Sequence, residues 1–292
     1  MCDLDTENDI DEFVRSGGEL NRRQFGKMSA VASFVAALPS VVNAAEVTES
    51  EETISTPDGT CDAYFVRPST GKHPAVLIWP DILGLRPAFR AMGKRLAESG
   101  YSVLVVNPFY RSAKAPVISE GASFRDPETR ETVLPMYRQL SADTHFSDAK
   151  AFVSFLDKQD GVDTDKKIGT AGYCMGGPII MRTAAAVPDR IGAAASFHGG
   201  GLATDKEDSP HLLIPKTKAH VLHAVAENDD AKNPEVKNIL AKAYEEAGIP
   251  AEIEVYKDAL HGWCPPDSAV YNEVQAEKAW SRLLALYKRA LV

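Results

Sequence analysis

Lys167-Ile168-Gly169-Thr170-Ala171-Gly172-Tyr173-Cys174-Met175-Gly176-Gly177 is the stretch that decides the fold. Lys167–Ala171 reads as a short strand. Gly177–Ala186 reads as a helix, with Pro188 ending it. Between them the chain must reverse sharply, and a G-x-nucleophile-x-G turn needs small flanking residues to do so. The turn lifts Cys174 above the strand ends, which predicts an exposed side chain rather than a core one. It also sets the sulfur at the positive end of the following helix, where a thiolate and an oxyanion are favoured. The competing readings are a phosphate loop and a plain strand–helix turn with a buried Cys. The stretch lacks the G-x-G-x-x-G order and the Gly-Lys-Ser ending of nucleotide loops.

Outward from the turn, strand and helix patterns alternate. Asp62–Val66, Ala75–Trp79, Ser102–Val106, Ile191–Phe197, His220–Ala226 and Ala251–Tyr256 read as strands. Several are continuous apolar runs, as in parallel strands buried on both faces. Pro87–Ser99, Glu128–Leu140, Asp143–Lys158, Pro234–Ala247 and Val270–Leu291 read as helices. Such alternation predicts right-handed crossovers and an α/β fold, a mostly parallel central sheet with helices on both faces. There is no internal repeat or linker, so residues 45–292 are read as one domain.

A nucleophilic Cys needs a base, and the base needs an orienting acid. In this kind of fold both follow the nucleophile, in the order nucleophile, acid, base. Glu227-Asn228-Asp229-Asp230 follows one strand, and Lys257-Asp258-Ala259-Leu260-His261-Gly262-Trp263 follows the last. Cys174, Asp229 and His261 meet that order, each expected in a loop after a strand. Individually, an acidic loop is usually only solvated and a lone His is usually structural.

The GYCMGG turn, the acidic AENDD segment and the terminal HGWCPPD before a long helix resemble the dienelactone hydrolases, an α/β-hydrolase family with a Cys-His-Asp triad. The similarity runs from about Thr53 to the C-terminus. The resemblance implies hydrolysis of a small-molecule ester or lactone without a cofactor. It implies an oxyanion hole from the Ile82 and Met175 amides. It also implies that Asp81 stands where the family has a glutamate that contacts the thiol. Members bind a substrate carboxylate with two arginines. Arg130 lies near the first position, but the second is Pro265 here, with Arg111 and Arg125 as possible substitutes.

His198-Gly199-Gly200-Gly201 mimics a lipase oxyanion motif, but that motif must precede the nucleophile. It is read as a loop after the strand Ile191–Phe197. His73, His145, His211, His220 and His223 show no metal-ligand spacing, and His220 and His223 would point to opposite faces of a strand. No metal site is expected.

The chain has 292 residues, 44% hydrophobic and 25% charged, with a formal charge of −9. This composition excludes a disordered polyelectrolyte and a polytopic membrane protein, and the charge argues against a nucleic-acid partner. Residues 1–44 read as a signal peptide. Arg22-Arg23 precede an uncharged run from Ser29 to Val42, and Val42-Asn43-Ala44 offers a cleavage site. The twin arginines predict the twin-arginine export machinery as a partner and a periplasmic or secreted product. The alternative is an uncleaved anchor, for which the run falls short of the ~20 residues of a span. Four cysteines are too few for a disulfide scaffold. Two rivals to a hydrolase stand: a binding protein that kept the fold, and a thiol redox protein using Cys264. The absence of a C-x-x-C motif weighs against the second.

Overall fold

The computed structural model describes residues 38–291. The predicted targeting segment, 1–44, lies outside the described residues as far as position 37.

The core is an eight-stranded sheet in the order β1-β2-β4-β3-β5-β6-β7-β8. Its strands are β1 (Val47–Thr56), β2 (Gly59–Pro68), β3 (Ala75–Trp79), β4 (Ser102–Val106), β5 (Ile168–Tyr173), β6 (Ile191–Phe197), β7 (His220–Ala226) and β8 (Ala251–Tyr256). β1 and β2 pair antiparallel, as do β2 and β4. Every pairing from β4 through β8 is parallel. The helices are α1 (Pro87–Glu98), α2 (Pro127–Tyr137), α3 (Ala142–Leu156), α4 (Gly176–Ala186), α5 (Glu227–Lys232), α6 (Glu235–Ala247) and α7 (Glu273–Ala290). This is the α/β-hydrolase architecture.

Burial on both faces explains the continuous apolar runs. Along β3, Ala75, Leu77 and Trp79 join one core cluster, while Val76 and Ile78 join the other. β4 divides likewise, Leu104 and Val106 against Val103 and Val105. The period of two sends alternate side chains through opposite faces, and helices cover both.

β1 escapes the sequence reading. Its VTESEETIST carries no apolar alternation, and only Ile54 is buried. It forms because it pairs with β2 along its whole length, from Val47↔Pro68 to Thr56↔Gly59. Its outward glutamates meet α1, Glu51 with Arg90 and Glu49 with Lys94. A charged edge strand also resists pairing with another chain.

Candidate active site

Three separate segments deliver the site, all at the carboxyl ends of the parallel strands. β5 ends in Tyr173, and Cys174 turns the chain with φ 52°. A non-glycine residue in that region stores of order 1–3 kcal/mol, held only when the surroundings over-determine it. Here they do. The Cys174 N–H donates to Phe197 O at 3.0 Å, and the Gly177 N–H donates back to Cys174 O at 3.0 Å. A Cβ on Gly172 would stand 2.1 Å from Gly176 O, and one on Gly176 would stand 2.4 Å from Trp79 O. Both positions therefore exclude any side chain. The second also shows how closely the end of β3 presses on the turn. Helix α4 begins immediately after, so its N-terminal dipole points at the sulfur.

The exposed position expected for Cys174 is not found. Its exposure is 4%, and it joins the core cluster of Trp79, Ile82 and Met175.

The candidate acid and base, Asp229 and His261, come from adjacent strand ends. His261 Nδ1 lies 2.8 Å from Asp229 Oδ2. With the Nδ1 proton assigned to that bond, Nε2 is left as the acceptor. Asp229 sits in α5, a single helical turn and a half directly after β7, rather than in a loop. Its neighbours Glu227 and Asn228 grip the His261 segment. Glu227 Oε2 accepts from the Asp258 N–H at 2.9 Å, and Asn228 Oδ1 accepts from the His261 N–H at 2.8 Å. Glu227 N–H donates to Ala259 O. Asp230 faces away and pairs with Lys237 at 2.5 Å. Sequence reasoning missed the tasks of Glu227 and Asn228. Their only signal was adjacency to Asp229.

Ile82 and Met175 are both buried beside the turn. The Leu83 N–H donates to Asp81 Oδ1, the Gly84 N–H to Asp81 O and the Gly177 N–H to Cys174 O. Among the described residues, the Ile82 and Met175 N–H groups make no such loop bond. Asp81 is engaged by Arg86 through both oxygens, at 2.6 and 3.0 Å. Arg86 reaches on to Asp267, beyond His261, at 2.6 and 2.9 Å. Burial works against the Arg86 charge, but the two carboxylates outweigh it and its pKa is raised. One guanidinium thus ties the loop after β3 to the loop that carries His261. Arg130 Nη1 donates to Phe124 O and Arg125 O, fastening the start of α2. Arg111 is held by Asp58 and Asp148. Cys61 and Cys264 are free and buried, and burial pushes both thiols up. Cys264 belongs to the core cluster opposite that of Cys174.

The fold, the Cys turn and the acid–base pair now meet a decisive comparison: the dienelactone hydrolase family model matches residues 61–291. The chain belongs to the dienelactone hydrolase family. Protein usf of Aquifex pyrophilus is 29% identical over 233 residues, covering 78% of this chain and 93% of its own. A carboxymethylenebutenolidase of Rhodococcus opacus is 26% identical over 227 residues, covering 76% and 83%. A dienelactone hydrolase-like promiscuous phosphotriesterase from metagenomic libraries superposes with a TM-score of 0.68 at 18% identity, over 84% of this chain and 99% of that one. This last likeness concerns the fold. Within this dienelactone hydrolase fold, the Arg86 clamp is a second charged feature joining two site loops, beside the Asp229–His261 pair.

Arg86→Met is expected to cost about 3 kcal/mol or more, because it strands a buried carboxylate at Asp81. In a domain of this size that is a Tm loss of roughly 6–12 °C. Thermal denaturation checks it. Adding Asp81→Asn to the same chain should recover part of the loss, since the stranded charge is then gone.

Proposed function

We propose that this hydrolase cleaves esters or lactones through a covalent thioester on Cys174. The observation that carries the proposal is the Asp229–His261 pair at two strand ends, with His261 5.0 Å from the ring of His198, which strand register places next to the strained Cys174 turn. Cys174 Sγ attacks the acyl carbon and its proton passes to His261 Nε2. The oxyanion is held by the Ile82 and Met175 N–H groups. The C–O bond breaks and the leaving alkoxide takes the proton from His261. Water then attacks the thioester, His261 takes its proton, and the thiolate leaves with release of the acid.

The substrate favoured is one without a second negative charge. Arg86 and Arg111 are each shared between two aspartates, and position 265 is a proline. Asp81, tied to Arg86, contributes by fixing the Ile82 amide. Arg130 remains the residue through which a substrate carboxylate would be read. A panel of neutral aryl esters, neutral lactones and a carboxylated dienelactone tests the proposal. Turnover of the neutral compounds is expected to exceed that of the carboxylated one. Thermal stabilisation by ligands without any turnover would instead favour the binding-protein reading.

We also propose export by the twin-arginine route with cleavage after Ala44. The Ala45 N–H donates to Glu98 O at 2.9 Å, at the end of α1. Cleavage there would set a new ammonium at a helix C-terminus, where positive charge is favoured. N-terminal sequencing of periplasmic material is expected to begin at Ala45. A chain retaining Met1 in the cytoplasm would contradict it.

A further inference from the structure

His198 begins the His-Gly-Gly-Gly run that the mechanism above leaves unused. Strand register puts it beside the nucleophile: Tyr173 pairs with Phe197, so Cys174 and His198 are the next residues on neighbouring strands. Both leave their strands with positive φ, 52° and 40°. The loop is pressed against α4, since a Cβ on Gly199 would come within 3.0 Å of Gly177 Cα. The His198 ring stands edge-on to His261 at 5.0 Å between centroids, and to Trp263 at 5.1 Å.

His198 is 1% exposed, and neither ring nitrogen has a well-formed hydrogen bond to another residue, the one polar contact being to its own backbone. An unpaired buried polar atom carries the cost of its lost hydration. Phenylalanine would fill the same aromatic niche without that cost, so the nitrogens need an occupation of their own. Burial, and then the neighbouring His261 charge, lower the His198 pKa and keep the ring neutral. A neutral imidazole offers one donor and one acceptor. A buried water needs two to four polar partners, and His261 supplies another.

Resting on the thioester reading above, we propose that His198 is a further residue of the site, holding through a ring nitrogen the water that hydrolyses the acyl-enzyme. That water's oxygen bonds to the acyl carbon, its proton goes to His261, and the C–S bond breaks to free the thiolate. His198 steadies the water and exchanges no proton. It therefore serves deacylation and not acylation.

Burst kinetics with a 4-nitrophenyl ester separate the two steps. His198→Phe keeps the ring and removes the nitrogens. Its burst rate is expected to stay within about twofold of wild type, with the steady-state rate lower by about tenfold or more. Its Tm should be unchanged or higher. His198→Gln restores a hydrogen-bonding group and should recover part of the rate, and it serves alone if the Phe variant does not fold. Equal losses in both steps would mean that His198 acts only through His261, and unchanged rates would mean a structural role. Either overturns the proposal. A high-resolution crystal structure of the wild type decides it independently of any substrate. An ordered water about 3 Å from a His198 nitrogen and within reach of His261 is expected. Its absence overturns the proposal, whereas an ordered water there in a wild type whose Cys174 is never acylated on acid quench overturns the thioester reading and with it the deacylation role.

Discussion

Cys174→Ala is expected to abolish hydrolysis while leaving a folded protein. Both nucleophile and leaving group of the two-step reaction vanish with the sulfur, so no acyl-enzyme forms. The cost in stability is expected to be about 1 kcal/mol, because a sulfur in a packed cluster is lost and a small cavity is left. That is larger than an exposed turn would give, and it follows from the 4% exposure. Relief of the φ 52° strain does not offset it, since alanine has a Cβ too. Cys174→Ser should keep a trace of activity at best. Its hydroxyl lacks the thiolate's nucleophilicity, and the shorter C–O bond sets it back from the acyl carbon. Iodoacetamide applied under reducing conditions should inactivate the wild type in a one-to-one reaction. Mass spectrometry should find the adduct on Cys174, because the N-terminus of α4 favours its thiolate whereas the Cys61 and Cys264 thiols are pushed up. Full esterase activity after confirmed alkylation of Cys174 would remove the mechanism.

Asp229→Asn is expected to reduce kcat by about two to four orders of magnitude with the fold intact. The amide can present its NH2 to Nδ1, which reverses the tautomer and turns a donor toward the thiol where an acceptor is needed. It also removes the charge that stabilises the imidazolium. Asp229 is near the surface, so its loss should shift Tm little, whereas Asp230→Asn should lose only the Lys237 pair and keep near wild-type turnover. A ranking with Asp230 as the damaging position would move the acid by one residue. Asn228→Ala gives a third comparison. It leaves the His261 N–H without its 2.8 Å acceptor and should lower kcat by less than Asp229→Asn.

How these residues come together sets the boundary between local and tertiary information. The buried strands were legible because burial on both faces leaves runs such as Ala75–Trp79 with no polar position. The turn at Cys174 was legible because only glycine tolerates contacts as close as those at Gly172 and Gly176. The chain order of cysteine, acid and histidine was legible because each follows its own strand. These features are local, and the sequence by itself determined them, together with the α/β class and the family they signal. β1 was not legible, since its stability comes from backbone pairing with β2 and from ion pairs with α1 rather than from its own pattern. The burial of Cys174 was not legible either, because it follows from a core cluster shared with Trp79 and Ile82, far away in the chain. Only the tertiary structure decided that Arg86 joins Asp81 to Asp267 across 181 positions, and that His198 lies against His261. The reason is physical: charge pairing and ring packing act through space over a few ångströms, and no periodicity or spacing in the chain records which distant side chains the crossovers will bring within that reach.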